Sequence, residues 1–369
     1  MLFETLHPFI LGFMEGTKKS FIPFDNRTAW LIAAVMILLI IGSAVGKLLE
    51  RSSEERFNSA VVRSFNQRIR SWWLMCAILI AGLVIGPTGT VVLFGMIAFW
   101  ALREFITMTP TRRGDHRALF WVLVIFTPLQ FVLVGLNDER QMFKVLLPII
   151  AALFVPMRIA LANDEKRYLE RSAKILIGIL ICVYALSFAP ALLYLEIVDS
   201  SGNLWSEDQS ANKGLLFFFV LITQLNDVMQ FGWGKLIGRN VIASRINTSR
   251  TVEGVIAAAA SSALLGALFS WVTPFAFWQA AIIAVVVSLT GFAGGITMSA
   301  IKRDRGVRDF GTLLQGHAGI LDRIDSLCFA APVFFLVTEF FFTGHGTTCL
   351  LYTSPSPRDV EESRMPSSA

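Results

Sequence analysis

Ser299 to Asp325 reads SAIKRDRGVRDFGTLLQGHAGILDRID and packs bases, acids and one histidine between two apolar runs, Ala276 to Met298 and Ser326 to Thr343. Charge gathered at the edge of a membrane is costly unless something binds there. The mixture of signs fits a polyanion carried with a metal, since bases meet phosphate and carboxylates meet a divalent cation. Lys302, Arg303 and Arg308 are the candidates to neutralise the phosphates of such a polyanion. Asp322 and Asp325, three residues apart, share one face of a helix. One or two carboxylates plus substrate phosphates are a usual Mg2+ site, which makes this pair the metal candidate. Asp309 is a further acid for the same role, and His317, between Gly316 and Gly319, is a donor to phosphate. The plainer alternative is structural pairing of Asp322 with Arg323 or Arg303.

A second constellation runs from Asn226 to Gly254. Asp227 ends an apolar span, and Lys235, Arg239, Arg245 and Arg250 form a basic rim behind it. A carboxylate at membrane depth faces a cavity or a partner rather than lipid. The rim suits the phosphate of an anionic lipid or of a nucleotide. The competing readings are an interfacial Asp227 paired with Lys235, and ordinary positive charge on the inner face.

Together the two stretches resemble the phosphatidate cytidylyltransferases, or CDP-diacylglycerol synthases. That family's pattern runs Ser-x-x-Lys-Arg, four residues, Lys-Asp, His-Gly-Gly, then Asp-Arg-x-Asp. Ser299, Lys302-Arg303, Arg308-Asp309, His317-Ala318-Gly319 and Asp322-Arg323-Ile324-Asp325 follow it in register. Upstream, Asp227, Arg250, Thr251, Glu253 and Gly254 match, with Gln230-Phe231 in place of Ala-Tyr and Asn247-Thr248 in place of Ser-Pro. The resemblance implies transfer of a cytidylyl group from CTP to phosphatidate, giving CDP-diacylglycerol and pyrophosphate, with Mg2+. It implies catalytic roles for Lys302, Arg303, Arg308, Asp309, His317 and Arg323. Substrate contacts would come from Ser299, Asp227, Lys235, Arg239 and Arg250, metal ligation from Asp322 and Asp325, and the assembly would be a homodimer. Gly295 stands where the family has an acid, Gln315 where it has Pro and Ala318 where it has Gly. The likeness covers roughly the last third before the tail.

These residues must be positioned by a membrane scaffold. The 369 residues are 54% hydrophobic and 16% charged, against about 25% charged in soluble domains, and mean hydropathy is +0.62. Spanning-length apolar runs recur at about Ala29–Leu49, Trp72–Gly86, Val91–Thr107, Ala118–Gly135 and Phe143–Ala162. They continue at about Ala173–Leu195, Leu215–Trp233, Gly254–Val272, Phe277–Met298 and Leu327–Thr343. The expected fold is all-α, a polytopic integral membrane protein with nine to ten transmembrane helices, the second and third joined as a hairpin at Gly86-Pro87-Thr88-Gly89.

Loop charge orients the spans. Arg51, Arg56, Arg63, Arg68 and Arg70 follow the first, and alternation then puts Arg112, Arg113 and Arg117, Lys166 to Lys174, and the Lys235 to Arg250 rim on the same side as the motif. The positive-inside rule makes that side cytoplasmic, in a bacterial inner membrane. The net charge of +5 reflects this bias and not a nucleic-acid surface. Cys76, Cys182, Cys328 and Cys349 have no CxxC spacing, and the first three read as inert thiols. Residues 1–213 form an N-terminal transmembrane region, 214–346 the catalytic region, and 347–369 a Ser- and Pro-rich tail of non-native character outside the fold. A retained N-terminus is expected. Rival readings are a CTP-dependent enzyme acting on a polyprenol or an isoprenoid glycerol phosphate, a non-catalytic relative, and a transporter.

Overall fold

The computed structural model describes residues 24–52, 59–109, 112–136, 142–198, 204–205, 210–307 and 319–343. In hydrocarbon every backbone amide needs an internal partner, so apolar runs of this length become helices. Ten are present among the described residues: α1 (Asn26–Ser52), α2 (Ser59–Ile85), α3 (Pro87–Met108), α4 (His116–Gly135), α5 (Leu146–Ala160), α6 (Tyr168–Tyr194), α7 (Ser210–Leu236), α8 (Val252–Leu268), α9 (Phe277–Asp304) and α10 (Leu321–Phe342). Eight are long and apolar enough to cross a bilayer, and α8 and the apolar part of α2 are shorter. The protein is a polytopic, almost wholly helical membrane protein, as its sequence predicts.

Boundaries shift in informative ways. The segment expected as a loop after the first span is partly helical, because α2 begins at Ser59 and carries Arg63, Arg68 and Arg70 on its first turns. The α2–α3 hairpin turns at Gly86, whose φ of 112 suits glycine, and Pro87 opens α3 where its missing N–H costs nothing. Both α4 and α6 contain a π turn, Val122–Phe126 and Leu180–Ala185. A two-stranded antiparallel hairpin, β1 (Val241–Ala243) and β2 (Asn247–Thr251), was not legible in advance. It stands between α7 and α8, and the side chain of Thr251 caps α8 by accepting from the Gly254 amide at 3.2 Å.

Glycines let the motif-bearing helices approach closely. A Cβ on Gly266 of α8 would lie 2.6 Å from the Ala280 carbonyl of α9, and one on Gly294 of α9 would lie 2.8 Å from the Asp325 carbonyl of α10. An aromatic core built from Phe143, Phe188, Phe219, Phe334 and Phe335 ties α10 to α6 and α7. The motif face is the end of the bundle where α7, α9 and the start of α10 carry their charges. There Arg171, almost fully buried, bridges Asp115 at 3.1 Å and Asp164 at 2.9 Å. Arg112 closes the clamp on Asp164 at 2.8 Å. The Arg112 hydrogen bond, outweighing desolvation, holds the Asp164 carboxyl below its ordinary range. On the opposite face Lys144 pairs with Glu339, and Ile197 bridges to Thr343.

Candidate active site

Four segments meet at the motif face: the end of α7, the hairpin running into α8, the end of α9 and the start of α10. Asn226, fully buried, fixes the first. Its side chain accepts from Ser288 Oγ of α9 at 2.6 Å and from Ser262 Oγ of α8 at 3.4 Å, and donates to the Ser288 carbonyl at 3.2 Å. The next residue, Asp227, is thereby aimed between the helices. It accepts from Arg250 Nη2 at 3.2 Å and from Ser326 Oγ of α10 at 2.6 Å. Asp325 accepts from the Ser326 amide at 2.7 Å and lies 3.4 Å from the same Oγ. Two carboxylates from different helices therefore converge on one serine. Like charges so near repel, and a cation between them removes the penalty.

Lys302 on the last turns of α9 reaches Asp322 at 2.8 Å, both side chains largely shielded from solvent. Asp322 and Asp325 do share the first turns of α10, as their spacing predicts, but Lys302 holds the former while Asp227 and Ser326 flank the latter. Among the described residues no three His, Cys, Asp or Glu side chains form a metal cluster. One or two carboxylates completed by substrate phosphates are a donor set that suits Mg2+. Asp227 and Asp325 fit that donor set, with oxygen ligands from two directions.

The basic residues divide. Arg250 lies inside, its Nη1 donating to Gln230 Oε1 and its Nη2 to Asp227. Gln230 Nε2 is buried with no acceptor among the described residues. Arg303 Nε donates to the Ile246 carbonyl at 3.0 Å, tying α9 to the hairpin turn. Ser299 does the same from its hydroxyl, accepting from Asn247 Nδ2 at 3.2 Å and donating to the Gly295 carbonyl at 2.7 Å. Lys235 and Arg239 are exposed on the rim. The expected alternative pairing of Asp227 with Lys235 does not occur: the Lys235 ammonium lies 4.5 Å over the Phe231 ring one turn back. Asp304, the acid nearest in sequence to the motif bases, is exposed and pairs with Arg305 at 2.7 Å. Arg308, Asp309 and His317 lie outside the described residues.

One residue that the motifs do not mark is central. Glu104 of α3, 4% exposed, accepts from the Ile320 amide at 3.1 Å and the Leu321 amide at 2.9 Å. It caps α10 where the helix dipole favours an anion. A lone acid within an apolar span was the available signal. Glu104→Gln presents an amide donor to two N–H donors. It is expected to lower stability by about 1 kcal/mol, read as a fall in thermal unfolding temperature in detergent.

The sequence model of the cytidylyltransferase family matches residues 66–341, from α2 to the last turn of α10. The chain belongs to the cytidylyltransferase family. Within it, similarity to an uncharacterized Escherichia coli K12 protein, YnbB, runs through 82% of this chain and 96% of that protein at 34% identity. Phosphatidate cytidylyltransferases are similar over a shorter stretch. The Synechocystis protein is 33% identical over 148 residues, 39% of this chain and 50% of its own length. That of Aquifex aeolicus is 34% identical over 123 residues, 33% of this chain and 46% of its own. The chain thus spans about half the length of these named cytidylyltransferases and nearly all of YnbB. Membership of this family makes nucleotidyl transfer the class of chemistry for the chain.

Proposed function

We propose that this cytidylyltransferase transfers the cytidylyl group of CTP to phosphatidate, giving CDP-diacylglycerol and pyrophosphate. The observation that carries the reading is the convergence of Asp227 and Asp325 on Ser326, with Arg250 and Lys302 beside them, at one face of a membrane bundle. A phosphate oxygen of the lipid attacks the α-phosphorus of CTP, the bond to the β-phosphate oxygen breaks, and pyrophosphate leaves. Mg2+, when bound, neutralises phosphate charge and orients the triphosphate. Asp227 and Asp325 are the residues that would hold it, while Asp322 keeps Lys302 extended toward the same space. Arg250 and Lys302 offset the charge that develops on the leaving group. The exposed Lys235 and Arg239 draw anionic headgroups to the rim. Arg308 and His317 keep the phosphate-facing roles that the motif implies and Asp309 its role as a further acid for the metal, Ser299 and Arg303 hold the hairpin against α9, and the motif face is cytoplasmic in a bacterial inner membrane.

Release of pyrophosphate from CTP in detergent, dependent on both phosphatidate and Mg2+, is the expected result. No release from folded protein with any phosphatidate overturns the proposal. Release of CDP in place of pyrophosphate would mark a lipid kinase.

Position 295 allows a direct test of the missing acid. A Cβ on Gly295 would lie 3.4 Å from Arg250 Nη2 and 4.0 Å from Ser326 Oγ, so a side chain there enters the site without a clash. Gly295→Asp is expected to fold normally and to lower the Mg2+ concentration needed for half-maximal rate several-fold. An unchanged Mg2+ titration would show that position 295 plays no part in cation binding.

A further inference from the structure

A cavity of about 310 Å³ opens beside the site, between α2, α3, α7 and the first turns of α10. Ile78, Leu93, Ile97, Val220 and Leu327 line it, and Arg323 is the charged residue among its described lining. Its walls are otherwise apolar, so water has few partners there and an alkyl chain loses nothing by entering. Leu74, Ile78 and Ile320 on its border are exposed on the bundle surface, so the cavity opens sideways to hydrocarbon. Depth can be read along α3. Glu104 marks the level of the α10 N-terminus, and Leu93 lies further along the same helix, about 16 Å away at the rise of an α-helix. That is about half of a 30 Å hydrocarbon core, the depth of one leaflet.

Arg323 follows Asp322 and is two residues before Asp325, so the cavity mouth and the carboxylate site are neighbouring faces of the same helical turn. Gln224, one turn from Val220 on α7, donates to the Arg323 carbonyl at 2.9 Å and fixes that turn. Arg323 borders the end of the cavity nearest the motif face, so an alkyl chain directed to the midplane brings its anionic head to that residue.

We propose that this groove is the acyl-chain subsite of the lipid substrate, taking one chain of an anionic glycerolipid from the motif-face leaflet with its phosphate at Arg323. The proposal rests on the reading above for the identity of that lipid, phosphatidate, but the groove itself is tested without turnover. The probe is phosphatidate carrying a diazirine midway along one acyl chain, photolysed in nanodiscs with the full chain and mapped by peptide sequencing. Label is expected on the α2 and α3 segments around Ile78 and Ile97. Dioleoyl phosphatidate should compete it away better than dioleoyl phosphatidylcholine, and Arg323→Ala should erase that preference. Ile97→Trp fills the groove, and excluding about two methylenes should weaken labelling about tenfold. Leu327→Trp is the second variant should the first fail to fold, and the ratio of kcat/KM for dioleoyl over dihexanoyl phosphatidate should fall in step. Label in the groove from a chain that leaves CTP unconsumed keeps the lipid site and sinks the phosphatidate reading. Active enzyme labelled elsewhere, or equally in wild type and both Trp variants, overturns the groove.

Discussion

Asp325→Asn is expected to lower CTP-dependent turnover by about two to three orders of magnitude while the protein stays folded. The substitution keeps shape and removes charge from one of two carboxylates that meet at Ser326. Lost electrostatic stabilisation at a shielded site has that size. Asp227→Asn should do the same, and the double variant should be scarcely worse than either, because groups acting as one unit are not additive. Ser326→Ala should cost far less, about tenfold, since it spaces the acids without carrying charge. The readouts are pyrophosphate release across a Mg2+ titration and thermal unfolding on the same preparations. A purely structural Asp325 would lower stability and leave the rate per folded molecule, and its Mg2+ dependence, untouched.

The second large effect is steric. Gly294→Val puts a branched side chain where a Cβ already lies 2.8 Å from the Asp325 carbonyl and 3.0 Å from the Phe329 side chain. The obstructing atom is backbone, so relief requires α10 to move away from α9. Overpacking of this kind costs about 1–3 kcal/mol, and here it also carries Asp325 away from Asp227. The expected result is a clear fall in unfolding temperature together with loss of turnover beyond what the unfolded fraction explains. Gly232→Ala on α7 is the control. Nothing lies within 4 Å of its added Cβ, and alanine favours helix, so stability should hold or rise.

The bilayer class and the helix number were legible because hydrocarbon permits few alternatives to a helix of spanning length. The acids and bases of α9 and α10 were legible because their types and spacing are unusual in an apolar chain. Their partners were less so. Spacing correctly placed Asp322 and Asp325 on one face, but it could not show that Lys302 takes Asp322 whereas Asp325 faces Asp227 across a serine. Asp227 was weighed against Lys235, a neighbour in sequence, and found its cation in Arg250, brought back by a hairpin. That hairpin is short, polar and without strong alternation, so no periodicity announced it. Ser326 and Gln230 acquire meaning only through what folds against them.

The cap that Glu104 places on α10 bears on how this family can be taken apart. The segment that carries both motifs, from α7 to α10, looks like a movable cassette. Yet the first amides of the helix that presents Asp322 and Asp325 are held by a carboxylate from α3, more than two hundred positions earlier. A cut between 213 and 214, or a chimera that exchanges only the later helices, severs that link and leaves a buried anion facing nothing on one side and an uncapped helix on the other. Grafting the chemistry onto another membrane scaffold therefore means carrying α3 with it, or rebuilding an acid at the same place.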